Sequence, residues 1–359
     1  MSYPERLANA REAMQRAGAD ALVVSNLLNV RYLCGFAGSN GLVVVSGDGA
    51  TFLTDFRYVT ASEPIGEFMS VQLADREVVH YIAEHLGEIA GGAGRVGFEA
   101  AHMSVAAHAR VAEAHPNVEL VPTLGLVERL RAVKEPAELD AIRRSAALLA
   151  PVYEEIADEG LAGRRERDVA WRVRELLHQA GAEDLSFDTI VASHERGAMP
   201  HADPSDAVIG PGTLVTIDMG CVLNGYASDC TRTFAVGEIP DDLREIYDVC
   251  LEAQLAAMAA IRPGLDGREA DAVARDVIEG AGYGGQFGHG LGHGVGLDVH
   301  EEPRLSASSS ATLEPGMVVT VEPGIYVPGR GGVRIEDLTI VTAGGCERLT
   351  MFPKELRTL

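Results

Sequence analysis

Lysine is almost absent from this chain, and basic residues as a group are scarce. Only Lys134 and Lys354 are lysines among 359 residues, and 30 lysines and arginines stand against 53 aspartates and glutamates, which gives a formal net charge of −23. A chain with this balance repels phosphate backbones and anionic lipid headgroups. We therefore expect neither nucleic acid nor a membrane among its partners.

Long apolar runs and paired cysteines are also missing. No apolar stretch approaches the roughly 20 residues that a membrane-spanning helix needs, and residues 1–7 carry early charge without the apolar segment of a secretion signal. The cysteines are odd in number and form no Cys-x-x-Cys pair, so we expect reduced thiols. They are Cys34, Cys221, Cys230, Cys250 and Cys346. Together these absences predict a cytoplasmic protein.

The length and the 47% of hydrophobic residues allow two buried cores. Residues 1–125 alternate helical and strand patterns, which is typical of an α/β module. The expected helices lie near residues 4–17, 78–89 and 105–114, and the expected strands near 21–25, 42–46, 51–54, 95–98 and 118–121. Pro136 stands in the first turn of a new helix. We predict an N-terminal domain over residues 1–125, a linker over 126–135 and a second domain over 136–359.

Two aspartates lie on a predicted hairpin in the second domain. Residues 214–221 and 227–234 read as strands on either side of Asn224-Gly225, a strong signal for a two-residue turn. With that turn, Asp218 faces Thr231, and Asp229 lies diagonally across. Both aspartates then project from one face of the hairpin.

Two glutamates repeat the arrangement. Residues 318–322 and 333–340 are β-rich runs separated by a Pro/Gly-rich connection, and they carry Glu322 and Glu336. A buried carboxylate costs on the order of several kcal/mol unless it is paired or metal-bound. In the second domain the predicted order is helix, helix, hairpin, and then helix, helix, hairpin again. We therefore expect a divergent duplication with a site between two similar halves.

Histidines crowd a glycine-rich stretch between the two hairpins. Five glycines alternate through residues 287–297, which excludes a stable helix and therefore a helical metal pair of His289 and His293. His293 with the four carboxylates supplies the donors that two divalent ions about 3.5–4 Å apart require. His289, His300 and the upstream His201 are candidates for holding substrate and moving protons near neutral pH. A hydrogen-bonded structural role is the alternative for each histidine.

Six motifs in this order resemble those of the metal-dependent Xaa-Pro peptidases of family M24, prolidase and aminopeptidase P. They are IDMG at 217–220, YASDCTRTF at 226–234, HGLGH at 289–293, VHEEP at 299–303, TVEPG at 320–324 and GVRIED at 332–337. The fold that the resemblance implies is an α/β accessory domain followed by an α+β pita-bread catalytic domain. Residues 29–40 and 54–58 resemble parts of the accessory domain, and a homodimer is implied.

The resemblance also implies a role for each metal-site residue. Asp218 and Glu322 would each serve one end of a two-metal site, Asp229 and Glu336 would bridge or chelate, and His293 would bind one ion through a ring nitrogen. The family favours Mn²⁺ or Co²⁺, with Zn²⁺ also possible. The oxygen-rich donor set independently favours a hard or borderline ion.

Further residues match the family's substrate site. His201 resembles a histidine that contacts the substrate near the scissile bond, and His300 one that stabilises the tetrahedral intermediate. His289 resembles a further pocket histidine, and Arg334 an organiser of the carboxylates. Arg304 stands where prolidases place an arginine that clamps a dipeptide carboxylate bidentately. The alternative for Arg304 is a solvated loop charge.

The implied activity is hydrolysis of the Xaa-Pro bond at the N-terminus of short proline-containing peptides. A hydroxide bridging two metal ions would attack, and Glu322 would relay its proton to the proline nitrogen. Dipeptidase and aminopeptidase remain open at this point. A non-catalytic peptide-binding protein on the same fold is one alternative. A methionine-aminopeptidase-like activity is another, although those enzymes usually lack a domain equivalent to residues 1–125.

Overall fold

The computed structural model describes residues 2–75 and 77–359. These residues form two compact units, which divide between Arg131 and Ala132. Each unit has its own hydrophobic core. All five cysteines are free thiols, as predicted, and four of them are buried. Within the described residues, no helix combines the length and the apolar character that crossing a bilayer requires.

The first unit is built on a mixed six-stranded sheet in the order β4-β3-β2-β1-β5-β6. Its elements are α1 (Tyr3–Arg16), β1 (Ala21–Val24), α2 (Leu27–Cys34), β2 (Gly41–Val45), β3 (Ala50–Asp55), α3 (Val59–Ser62), β4 (Ser70–Ala74), α4 (Val78–Ile89), β5 (Arg95–Glu99), α5 (Val105–Ala114), β6 (Glu119–Thr123) and α6 (Leu126–Ala132). Helices α4 and α5 have the predicted bounds.

Helices α2, α3 and α6 and strand β4 were missed from sequence. Helix α2 is capped by the Asn26 side chain, which accepts from the Leu28 N–H, and it ends at Gly35 in the left-handed region at φ 79°. Strand β4 is only half buried, so it lacks a continuous apolar run. Helix α6 occupies most of the segment predicted as a linker over residues 126–135.

The second unit contains the helices and strands that carry the predicted site. They are α7 (Pro136–Ala147), α8 (Leu149–Glu159), α9 (Glu166–Gln179), β7 (Asp184–Leu185), β8 (Ile190–Ser193), β9 (Thr213–Met219), β10 (Cys221–Leu223), β11 (Tyr226–Ala227), β12 (Cys230–Val236), α10 (Asp241–Ala260), α11 (Gly267–Gly280), β13 (Gly292–Gly294), β14 (Glu301–Leu305), β15 (Val318–Val321), β16 (Gly324–Val327), β17 (Gly331–Arg334), β18 (Asp337–Thr342) and β19 (Gly345–Arg348).

This unit has two halves, each with helices packed on antiparallel strands. In the first half, α8 and α9 cover the sheet β12-β9-β8, and apolar side chains such as Val173 and Ile217 share one core. In the second half, α10 and α11 pack near the sheet β14-β13-β15-β18-β19 and the hairpin β16-β17, around residues such as Ala274 and Val319. The repeated order of helices and hairpin follows the predicted duplication.

The first hairpin has the predicted register. Asn224 and Gly225 both have positive φ, 52° and 77°, as a two-residue turn of type I′ requires. Thr231 pairs with Asp218, and the pairing continues in the same register on the turn side, where Val222 pairs with Ala227. Asp218 lies within β9, whereas Asp229 falls in the interruption between β11 and β12.

The second hairpin is longer than predicted and is also interrupted. Strand β15 pairs with β18 and, nearer the turn, β16 pairs with β17. Both ladders share one register, with Val321 opposite Asp337 and Gly324 opposite Arg334. Glu322 and Glu336 are therefore directly opposed across the interruption. The β16-β17 ladder was missed because all of β16 and the start of β17 had been read as a Pro/Gly connection.

Gly220 allows the backbone to close tightly beside Asp229. A Cβ at position 220 would lie 2.1 Å from the carbonyl oxygen of Ser228 and 2.8 Å from the ring of Phe187. Because the nearest obstacle is backbone, it cannot rotate away. The close approach of the two strands at this point sets where Asp229 enters the site.

We predict that Gly220→Ala lowers the thermal midpoint of the metal-free protein. The added methyl group forces the strands apart, an overpacking that costs about 1–3 kcal/mol and lowers the midpoint by roughly 2–10 °C. Gly344→Ala is the matched control, because a Cβ there meets nothing within 4 Å. Calorimetry in the presence of a chelator measures both midpoints. An unchanged midpoint for Gly220→Ala would contradict the steric argument.

Candidate metal centre

Three buried carboxylates converge where the two halves of the second unit meet. Oxygen atoms of Asp218, Asp229 and Glu336 all lie within 4.8 Å of one another. Thr231 Oγ1 donates to Glu336 Oε2 at 2.8 Å, which fixes that carboxylate against β12. Among the described residues, Asp218 Oδ1 and Glu336 Oε1 are buried without a hydrogen-bond donor. Such orphaned oxygens in a polar site indicate that a further ligand belongs there.

His293 and Glu322 complete this group of predicted ligands. His293 Nε2 lies 3.1 Å from Glu322 Oε1 and 3.7 Å from Asp229 Oδ2. On the other side of the ring, Nδ1 contacts the Gly294 carbonyl oxygen at 3.1 Å. Thr320 Oγ1 accepts from the His293 N–H and donates to Glu322 Oε1, each at 3.0 Å. The structure therefore brings all five predicted metal ligands together.

The electrostatics of the metal-free site are unfavourable for its acids. Burial, followed by repulsion from Glu336 and Asp218, raises the pKa of Asp229 well above its ordinary value. Burial and the charges of Glu322 and Asp218 likewise raise the pKa of Glu336. Burial also raises the pKa of Asp218, although Arg334 opposes this rise.

Glu322 and His293 form the exception, since each stabilises the charge of the other. Burial disfavours the ionised form of Glu322, but its hydrogen bond and charge interaction with His293 hold the pKa of Glu322 at about 2. Burial lowers the pKa of His293, and Glu322 more than compensates, so that the pKa of His293 is raised. This pair gives the site one firmly ionised carboxylate.

These residues fit divalent cations. Orphaned carboxylate oxygens, mutual repulsion among acids and one imidazole nitrogen are what an ion would satisfy. The donor set is rich in oxygen with a single nitrogen, a combination that hard and borderline divalent ions prefer.

Arg334 holds Asp218 and Thr231 in place by hydrogen bonds. Its Nη2 donates to Asp218 Oδ2 at 2.6 Å and its Nε to Thr231 Oγ1 at 3.1 Å. Its Nη1 donates to Tyr326 Oη and to the Pro200 carbonyl oxygen, both at 3.0 Å. Arg334 therefore ties one metal-site acid to the wall of the neighbouring cavity.

Tyr326 connects this arginine to His289. Tyr326 Oη lies 2.9 Å from His289 Nε2, and His289 Nδ1 lies 2.8 Å from the Gly290 carbonyl oxygen. Since a carbonyl only accepts, Nδ1 carries the proton and Nε2 accepts from the tyrosine. Burial lowers the pKa of His289, which keeps the ring neutral. Tyr326 was missed from sequence, because its diagonal position to Arg334 depends on the unrecognised ladder β16-β17.

A cavity of about 440 Å³ opens beside the carboxylates. Its lining includes the metal-site residues together with His201, His289, His300, Arg304, Phe187, Asp188 and Ile190. His201, His300 and Arg304 are exposed, so they can meet a molecule that enters the cavity. The ring of His300 lies edge-on to that of His293, with the centroids 4.4 Å apart. Burial and the neighbouring His293 lower the pKa of His300.

Models of known families match both units. A model of metallopeptidase family M24 matches residues 140–343, and one of the creatinase/prolidase N-terminal domain matches residues 6–133. The chain belongs to metallopeptidase family M24. It is therefore a metallopeptidase that binds divalent metal, with the α/β N-terminal domain and α+β pita-bread catalytic domain that the sequence predicted.

Relatives resemble this M24 peptidase over almost their whole length. The Xaa-Pro dipeptidase of Pyrococcus furiosus is 37% identical over 358 residues, which are 98% of this chain and 99% of the relative. The solved Xaa-Pro dipeptidase from Bacillus anthracis has a TM-score of 0.96 at 42% identity and covers 100% of both chains. The X-Pro aminopeptidase from Thermotoga maritima has a TM-score of 0.85 at 30% identity, covering 97% of this chain and 100% of that one.

A buried ion-pair network supports Glu336 from the side opposite the metal site. Arg232 is 1% exposed, donates to the Glu336 carbonyl oxygen and binds Asp337 Oδ1 at 2.8 Å. Lys354 Nζ binds Asp337 Oδ2, also at 2.8 Å. The other lysine, Lys134, pairs with Glu301 at 2.7 Å beside the segment that carries His300. Both lysines of the chain are thus buried in ion pairs within the catalytic domain.

We predict that Mn²⁺ binding releases protons and strengthens as the pH rises. The raised pKa values of Asp229 and Glu336 mean that the metal-free protein holds protons that the ion must displace. For the same reason, their favourable contribution to metal-free stability is present at low pH and lost as the pH rises through the raised pKa values. The stabilisation gained from Mn²⁺ should therefore grow with pH.

Isothermal titration calorimetry in buffers of different ionisation enthalpy at one pH measures the proton release. Glu336→Gln should bind Mn²⁺ more weakly and release fewer protons. Glu355→Gln changes an exposed acid outside the cavity lining and should match the wild type. A binding heat that does not depend on the buffer would contradict the prediction.

Proposed function

We propose that this M24 peptidase cleaves the Xaa-Pro bond at the N-terminus of short peptides with a pair of divalent metal ions. The observation that carries the proposal is the convergence of Asp218, Asp229 and Glu336 within 4.8 Å, with the pair of His293 and Glu322 beside them. Full-length similarity to proteins named Xaa-Pro dipeptidase and X-Pro aminopeptidase supports the choice of substrate.

The five converging residues would hold two ions, most suitably Mn²⁺, with Co²⁺ or Zn²⁺ as alternatives. Two dications balance the four carboxylates, so that Arg334 contributes the surplus positive charge of the site. When bound, such a pair polarises the scissile carbonyl and lowers the pKa of a shared water, which makes it a nucleophile at neutral pH.

Glu322 is the residue best placed to move the proton. Its side chain is 16% exposed and faces the cavity, whereas that of Asp229 is 6% exposed. An ionised carboxylate at this position can take the proton of the attacking water and deliver it to the proline nitrogen. A proline amide nitrogen is tertiary and carries no hydrogen, so the site needs no acceptor for an N–H there.

His201 and His300 would hold the substrate at the cavity wall. The lowered pKa of His300 keeps its imidazole neutral near pH 7, with one N–H able to donate to an oxygen that becomes negative during attack. His201 would contact the peptide close to the scissile bond. Arg334 and His289 act through the hydrogen bonds described above, by fixing Asp218 and the cavity wall.

Arg304 favours a dipeptidase over an aminopeptidase. It pairs with His293 in the β13-β14 ladder and lines the same cavity as the carboxylates. Among the described residues, no acidic side chain forms an ion pair with its exposed guanidinium. A free guanidinium at the edge of the cavity suits the C-terminal carboxylate of a dipeptide, which it can bind with two parallel hydrogen bonds.

The proposal also includes a cytoplasmic homodimer without nucleic-acid or membrane partners. The net charge of −23 supports the exclusion of polyanions. The dimer rests on the resemblance to the Xaa-Pro peptidases, and sedimentation velocity of the metal-loaded protein tests it.

We predict Mn²⁺-dependent release of proline from an Xaa-Pro dipeptide, and little cleavage of the matching Xaa-Pro-Yaa tripeptide. Chromatography of the products with and without a chelator measures both reactions. Release of the first residue from the tripeptide would instead identify an aminopeptidase. Tight peptide binding without chelator-sensitive cleavage of either peptide would overturn the proposed activity in favour of a binding protein.

We predict that Arg304→Met raises KM for the dipeptide about 10–100-fold with little change in kcat. A charge-assisted contact to the carboxylate is made equally in the ground state and the transition state, so its loss weakens uniform binding. Arg304→Lys keeps the charge without the bidentate geometry, so its KM should lie between those of the wild type and Arg304→Met. Arg262→Met, an exposed arginine outside the cavity lining, is the control. Equal KM values for Arg304→Met and Arg262→Met would exclude the clamp.

A further inference from the structure

A fully buried carboxylate lies at the base of the segment that presents His201. Glu166 is the first residue of α9 and has 0% exposure. Residues 194–204 run from the end of β8 to Ser205, and His201 lies on this segment at the cavity wall. Glu166 does not line the cavity and does not contact any of the five metal-site residues.

Glu166 holds the two ends of this segment together. Its Oε1 accepts from Ser193 N and Oγ at 2.7 and 2.8 Å, just before the segment begins. Its Oε2 accepts from Ser205 N and Oγ at 3.1 and 2.7 Å, just after the segment ends. Arg196 Nε, inside the segment, adds a fifth hydrogen bond at 3.0 Å. A single carboxylate therefore closes the loop.

Further contacts fix the interior of the loop. Arg196 Nη2 donates to the Asp203 carbonyl oxygen, two residues beyond His201. The Pro200 carbonyl oxygen accepts from Arg334 Nη1 at 3.0 Å. Gly197 lies so close to Gly332 that a Cβ on Gly332 would approach the Gly197 carbonyl oxygen to 2.1 Å. His201 is thus an exposed side chain on a rigid backbone.

The donors around Glu166 require an ionised carboxylate. Five donors face two oxygens, and a carboxylate only accepts. Burial raises the pKa of Glu166, but the hydrogen bonds from Ser205 and Ser193 outweigh this effect and hold the pKa below its ordinary value. A glutamine would turn its amide hydrogens toward N–H and O–H groups, so at least one end of the loop would lose its partner.

The second half of the catalytic domain contains a parallel arrangement. Asp271 on α11 pairs with Arg275 through two contacts of 2.8 and 2.9 Å and accepts from the Leu291 N–H at 2.9 Å. Arg275 donates to the carbonyl oxygens of Phe287 and His289, each at 2.9 Å. A buried acid with an arginine therefore anchors a histidine-bearing segment in each half, and each arrangement serves as a control for the other.

We propose that Glu166, together with Arg196, is a positioning residue that sets the place of His201 against the peptide substrate. The inference rests on the proposed peptidase function for the role of His201. The placement of the loop itself can be measured without any activity.

Histidine side-chain NMR of the Mn²⁺-free protein, labelled with ¹³C-histidine, reads out the placement. His201→Ala and His289→Ala assign the two signals. Glu166→Gln should move or broaden the His201 signal more than that of His289, whereas Asp271→Asn should do the reverse. An unchanged His201 signal in Glu166→Gln, or equal changes of both signals, would overturn the proposal in favour of a general structural role.

Kinetics with the Xaa-Pro dipeptide test the consequence. Glu166→Gln should lower kcat/KM at least 10-fold in the wild-type background and less than 2-fold in the His201→Ala background. An equal loss in both backgrounds would show that Glu166 does not act through His201. If Glu166→Gln does not fold, Arg196→Met should lower kcat/KM in the wild-type background and not in the His201→Ala background. The loss of kcat/KM should be smaller than for Glu166→Gln, because the Arg196 side chain is 30% exposed. A wild type that cleaves no peptide would refute the proposed function, and the NMR comparison would still decide the placement.

Discussion

Mutual repulsion among four carboxylates that share a space shielded from water is the constraint on which the catalytic domain depends. Asp218 is neutralised in part by Arg334, and Glu322 by His293. For Asp229 and Glu336, burial and repulsion from the other acids outweigh the nearby positive charge and raise the pKa of both. A fold that assembles such a group stores an unfavourable interaction that bound cations relieve. Metal binding should therefore increase the free energy of unfolding of this domain.

Each hairpin brings its two acids to one face, because Asp218 opposes Thr231, two residues from Asp229, and Glu322 opposes Glu336. Asp229, Glu322 and Glu336 also lie where a ladder is interrupted. Charged groups beyond the site then hold these irregular backbones. Arg232 and Asp337 fix the backbone of Glu336, and other buried acids do the same for the histidine-bearing segments. In the catalytic domain, buried charged side chains therefore hold loops and interrupted strands in place.

Local chemistry decided which features the sequence could predict. The Asn224-Gly225 turn determined the register of its hairpin, and therefore the place of Asp218, because a two-residue turn permits one pairing. The β16-β17 ladder lacked such a signal, so the position of Tyr326 beside Arg334 could not be predicted. Glu166 could not be recognised, since its partners lie 27 to 39 residues away and no short motif links them. Helix α2 was missed because, at 8 residues, it is too short to show a clear helical period.

The burial of both lysines has a practical consequence for work with this protein. The side chain of Lys134 is 1% exposed and that of Lys354 is 9% exposed, and each ammonium is held by a carboxylate. Amine-reactive dyes, acyl donors and crosslinkers therefore find no accessible ε-amino group on the native catalytic domain. Labelling of either lysine would report transient opening of that domain, so the chain carries a built-in chemical probe of its own unfolding.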